Sequence, residues 1–188
     1  MPRFQTENSG EGASAAPGVY RATIIDFVDI TERVRAFADK AIEVKVNAEG
    51  IGFDLKTTIF IKYDRKANGE LDPSKNSWSN HINSILDAID YTGGFDRFGT
   101  FRDASGEEVD DIAGELAKWY MDKFPNYQDY NFLVYVEQDK KGYTVIKRKI
   151  FKSTQRDKMD EYVAASNRLK ARTPSTVSTG SGSQPRKL

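Results

Sequence analysis

The chain has 188 residues, 38% of them apolar, and its 28 Lys and Arg are matched by 28 Asp and Glu. That length fits one domain with a core and polar tails, and zero net charge means that any polyanion-binding surface has to be a local patch. With no cysteine and His81 as the one histidine, disulfides, thiolate metal sites, histidine-based metal sites and Cys/His couples are excluded.

Residues 1–18 are rich in Ser, Gly, Ala and Glu and read as a disordered arm without the hydrophobic stretch of a secretory signal. No apolar run approaches the ~20 residues a membrane helix needs, so a soluble cytoplasmic protein is expected. The run 19–30 reads as the first strand, with Tyr20, Ala22 and Ile24 on one face and Arg21, Thr23 and Ile25 on the other. Residues 31–40 fit either a helical turn or a wide connection. Ile42, Val44 and Val46 alternate with Glu43, Lys45 and Asn47 in a second strand, and the two glycines of 48–52 mark a turn. The third strand, 53–63, puts Phe53, Leu55, Ile59 and Ile61 on an apolar face. Its other face holds Lys56, Thr58, Phe60 and Lys62, a ring bracketed by cations. That face suits base stacking with phosphate neutralisation, or else Phe60 packs under a loop or helix.

Residues 64–77 are a loop by composition. Trp78, Ile82, Ile85, Leu86 and Ile89 then give a helical stripe starting near Asn76 or Ser77 and ended by Gly93 and Gly94. The segment 95–107 is loop-like, with Phe95, Phe98 and Phe101 beside Arg97 and Arg102. Such rings either clamp a strand of nucleic acid or plug the end of a barrel. A second helix is predicted over 107–124, its acidic start suited to the positive end of a helix dipole. A hairpin follows, 131–138 returning as 143–151 through the turn 139–142. A short helix is expected over 157–170 and disorder from 173 onward.

Three strands, two helices and two strands in series give a mainly β chain with helices (α+β). The expected architecture is a five-stranded OB-like barrel with two helices between strands 3 and 4 and disordered termini. An open sheet with helices on one face is the competing fold. The expected organisation is a disordered arm over 1–18, the OB-like domain over 19–152, the short helix within 153–172 and a disordered tail over 173–188.

Charge distribution carries the functional signal. Lys140, Lys141, Lys147, Arg148, Lys149, Lys152 and Arg156 follow one another without an intervening acid, interleaved with Tyr143 and Phe151. On a continuous strand Lys147, Lys149 and Phe151 share a face with Tyr143, and Arg148 lies opposite with Ile146 and Ile150. Cations with interspersed rings suit a platform for single-stranded nucleic acid; a solvated edge strand guarded by Lys is the plainer alternative. The residues read as nucleic-acid-binding are Lys56, Phe60, Lys62, Tyr143, Lys147, Arg148, Lys149 and Phe151. No catalytic residue, metal or cofactor is assigned. The segment 94–100 lacks the Lys of a phosphate loop, and the acidic 107–111 reads as a solvated helix start. Asp26 with Glu43 and Lys45 resembles a nuclease metal core, but the helix that precedes the first strand in that superfamily has no counterpart in residues 1–18.

The stretches GVYRATIIDF, IEVKVN, FDLKTTIFIKY, LDAID, DIAGELA and NFLVYVEQDKKGYTVIKRKIF resemble, in alternation and element order, a family of small bacteriophage OB-fold proteins related to single-stranded DNA-binding proteins. The resemblance spans about 19–152 and implies a protein that coats single-stranded DNA in phage replication or recombination, in the host cytoplasm. It implies binding through Lys56, Phe60, Lys62, Tyr143, Lys147 and Lys149, with RNA and a homo-oligomer left open. Many single-stranded DNA-binding proteins end in an acidic recruiting tail; this chain ends in Pro185, Arg186, Lys187 and Leu188, a basic sequence. The alternative function is a protein-interaction or virion-associated module that binds partners through a sheet edge.

Overall fold

The computed structural model describes residues 14–72, 75, 81–126 and 129–172. Most of the arm, Trp78 with the expected start of the first helix, and the tail from 173 lie outside the described residues. The elements are β1 (Gly18–Asp29), α1 (Thr31–Val34), β2 (Lys40–Ala48), β3 (Asp54–Ile61), α2 (Asn83–Ala88), β4 (Gly94–Phe95), β5 (Phe101–Arg102), α3 (Ile112–Lys123), β6 (Phe132–Gln138), β7 (Thr144–Ile146), β8 (Phe151–Lys152) and α4 (Arg156–Arg172).

The main sheet runs β3-β2-β1-β6-β7, every pairing antiparallel, and β8 also pairs with β6. β3 and β7, the two ends of that order, come together, so the sheet curls into a nearly closed five-stranded barrel of OB type. The long first strand makes this possible. Residues 18–22 of β1 pair with β6 and residues 22–29 with β2. A bulge between Ile24 and Asp26, just past the change of partner at Ala22, bends the strand and leaves Ile25 45% exposed.

Period-two alternation decides which side chains fill the barrel. Ile24 and Phe27 of β1, Ile42, Val44 and Val46 of β2, Leu55 and Ile59 of β3, and Phe132, Val134 and Val136 of β6 all point inward and are buried. α2 and α3 add Ile85, Leu86, Ile112, Leu116 and Tyr120 to the same core. A second, smaller core lies outside the barrel wall, where α4 places Met159 against Leu133 and Tyr135 of β6.

Of the two readings of 31–40 the helical turn is the one present: α1, whose Val34 packs with Ile30, Ala38 and Ala41. Other expectations are corrected. α3 begins at Ile112 rather than at 107. The Asp111 side chain caps it by accepting from Gly114 N (2.9 Å), while Glu107 and Glu108 belong to the β5 turn through Asp103 N→Glu107 O (2.9 Å) and the Arg102–Glu108 bridge. The supposed loop 95–107 holds the β4–β5 hairpin, in which Phe95 and Phe101 pack edge to face (5.1 Å) and Phe101 stacks with Tyr91 (5.7 Å). The return strand 143–151 is interrupted: β7 stops at Ile146 and β8 resumes at Phe151.

Leu116 is fully buried, whereas Met121 on the same helix is 70% exposed. Leu116→Ala is therefore expected to lower unfolding free energy by about 2–5 kcal/mol, and Met121→Ala to stay within about 0.5 kcal/mol, both read by urea denaturation.

Candidate nucleic-acid interface

The outward face of β3 presents Lys56, Thr58 and Phe60, the exposed Lys62 follows, and β2 lies beside it with Lys45 opposite Lys56 and Ala41 opposite Phe60. Phe60 is half-buried. Its base rests on the cluster of Ile30, Val34, Ala38 and Ala41, so α1 fixes the ring from below. Phe37, in the β1–β2 connection, sits 5.3 Å from it centroid to centroid and is 58% exposed. The Arg148 guanidinium lies 5.2 Å from the Phe60 centroid. Two rings and a cation thus stand together on the barrel wall.

Arg148 reaches this place through an irregularity in β6 pairing. Val136 pairs with Ile146, but Leu133 pairs with Phe151, a slip of two residues. Lys147 N still bonds Tyr135 O (2.9 Å), so the slip falls on residues 148–150. Ile146 and Ile150 both stay in the core, and the slack between them turns Arg148 out onto β3 instead of inward.

The other expected residues divide. Lys62 borders an open cleft of about 440 Å³ with Arg35, Phe37 and Arg65. Lys56 pairs with Glu43 (3.4 Å) yet keeps 65% of its side chain exposed. Tyr143, 62% exposed, stands at the β6–β7 turn beside exposed Lys140 and Lys141. Lys147, Lys149 and Phe151 lie instead under or beside α4. Lys147 (3.0 Å) and Lys170 (2.6 Å) both bind Glu137, Lys149 lies over Tyr162 (5.4 Å), and the Phe151 ring packs against Tyr162 (6.0 Å). The seven-cation run is also partly neutralised by acids outside it: distant Asp90 takes Lys152, Glu137 across the hairpin takes Lys147, and Asp160 one turn along α4 takes Arg156 (3.1 Å). Asp26, the first carboxylate of the nuclease-like trio, faces Lys45 across β1–β2, and no cluster of three or more metal-ligating side chains occurs among the described residues. No helix among the described residues is long and apolar enough to cross a membrane.

Phe37 and Arg35 were missed by the sequence reading. Their signal is a ring following two arginines, Arg33 and Arg35, in a segment with no apolar period.

Burial works to raise the Glu137 carboxyl, but hydrogen bonds from Lys170 and Lys147 outweigh it and hold the group below the usual carboxylate range. His81 sits near the same surface: partial burial, then the charges of Arg148 and Lys149, hold its imidazole below the ordinary value.

No protein-family model matches this chain, and comparison with curated proteins and with solved structures finds no match.

Two outcomes follow. A carboxyl with a lowered folded pKa stabilises the fold above its unfolded pKa and loses that stabilisation as pH falls through the folded one. Because Glu137 also holds α4 through Lys170, Glu137→Gln is expected to accelerate amide hydrogen exchange in the last turns of α4 at pH 7, with the difference from wild type shrinking in acid. Replacing Arg148 and Lys149 by Ala is expected to raise the titration midpoint of the single imidazole, read by NMR of His81 across pH 4 to 8.

Proposed function

We propose that this protein binds single-stranded nucleic acid, DNA in the first instance, without sequence preference and without chemistry on the bound strand. The observation that carries the reading is the trio Phe37, Phe60 and Arg148 on the outer side of β2–β3. In an OB barrel the face of strands 2 and 3, flanked by the first and fourth connections, is where oligonucleotides lie. Here those connections are the 30–39 segment bearing Phe37 and the 139–143 turn bearing Lys140, Lys141 and Tyr143.

The chemistry fits an unpaired strand. A base stacked on an exposed ring gains roughly 1–3 kcal/mol, and a duplex keeps its bases from such rings. Every base has a π-face, so stacking tolerates any sequence. Arg148 over Phe60 extends that platform with a planar cation, and Lys62, Lys56 and Arg35 lie where phosphates would run. Replication or recombination of phage DNA is the setting the family resemblance suggests. Pairing with a partner through a sheet edge, the alternative function, is less favoured because the end strands β3 and β7 lie close together, though no ladder among the described residues joins them.

Fluorescence anisotropy with labelled oligo(dT) at two salt concentrations tests the reading. Phe37→Ala is expected to weaken binding roughly 5- to 100-fold, the value of one stacked base. Charge reversal of Lys62 and Arg148 together is expected to weaken it further and to lower the salt slope by about 1.4, two phosphates' worth on a single strand. Wild-type affinity and slope in both variants would count against this surface.

A further inference from the structure

The cleft beside Phe37 does not end at β3. Tyr63 and Arg65, which border it, also border a second cleft of about 230 Å³ whose far side is Phe98, Gly99 and Thr100 of the β4–β5 turn. Phe98 is 56% exposed, and the Arg97 guanidinium lies 4.6 Å from its ring centroid. This repeats the pairing of a guanidinium with a ring seen at Arg148 and Phe60.

The turn that carries Phe98 is held stiffly. The Asp96 carboxylate accepts from Phe98 N (2.8 Å), Thr100 N (3.0 Å) and Arg102 Nε (2.9 Å), which ties both limbs of the turn to one side chain. Gly99 has φ +81°, and a Cβ there would come 3.1 Å from Tyr63 Cε1, so the turn presses directly on the residue shared by the clefts. A rigid turn with an exposed, cation-capped ring has little conformational freedom left to lose on binding.

We propose that the bound single strand continues from the Phe37–Phe60 rings across Tyr63 and Arg65 to a second stacking position on Phe98 beneath Arg97. This rests on the single-stranded reading above. Glu108 and Asp110 also line the second cleft, offsetting its Lys40 and Arg65, so the hold there is stacking more than charge. The first position engages any short strand, and the second engages only a strand long enough to cross the saddle.

Length dependence separates the two. Wild type, Phe37→Ala, Phe98→Ala and Phe98→Trp are compared by anisotropy on oligo(dT) of about 5 and about 15 nucleotides, lengths within and near the upper end of the range one OB barrel engages. Phe98→Ala is expected to weaken the longer strand roughly 5- to 100-fold and leave the shorter unchanged, Phe98→Trp to restore the longer, and Phe37→Ala to weaken both. Because Phe98 is exposed, its loss leaves the core intact, and an unchanged melting curve verifies that. Wild-type affinity of Phe98→Ala for both lengths, or equal loss on both, overturns the second position while leaving the first. Absence of wild-type binding at either length overturns the nucleic-acid reading itself, and this inference with it.

Discussion

Everything proposed for this surface depends on Arg148 lying across Phe60. The contact bridges β3 and the segment after β7, the two ends of a sheet that has to curl for them to meet. Curling comes from the bulge and bend in β1, which hands the sheet from β6 to β2 within one strand. The two-residue slip against β6 then releases Arg148 from the inward position that alternation would have given it. An arginine inside that apolar barrel would cost far more than it gains, so the slip removes a burial penalty and creates a surface feature together.

The same geometry limits how much of the basic run is available. Glu137 is nearly buried and draws two lysines to itself, one from the β7 end and one from α4. A buried carboxylate needs that compensation, so Lys147 and Lys170 act first as its partners. Lys56 keeps most of its side chain in solvent on the outward face of β3, the strand that also carries Phe60. Less of the basic run is therefore available than its sequence suggests, in keeping with a chain of zero net charge.

The barrel was largely legible because its strands alternate so cleanly. Val44, Ile59 and Val134 each sit where period two places them, and the order of strands and helices limited the fold to few arrangements. α4 over Arg156–Arg172 also matches its expected 157–170 closely. The broken return strand was not legible, because Lys147, Arg148 and Lys149 read as a simple alternation and nothing local marks a slip set by which β6 residues need partners. Nor could sequence show that Glu137 would meet Lys170 or that Asp90 would meet Lys152, since those are contacts between distant segments. Phe37 went unassigned for the opposite reason. A four-residue helical turn carries too little periodicity to declare a face.

Ring-proton and guanidinium NMR shifts during titration with oligo(dT) measure the central claim most directly. Stacked bases shift the protons of rings they cover, so the account predicts that the largest changes fall on Phe37, Phe60 and the Arg148 Nε–H. Changes confined to Phe151, Tyr162 and the rest of the α4 side, or no changes at any ring, would contradict it.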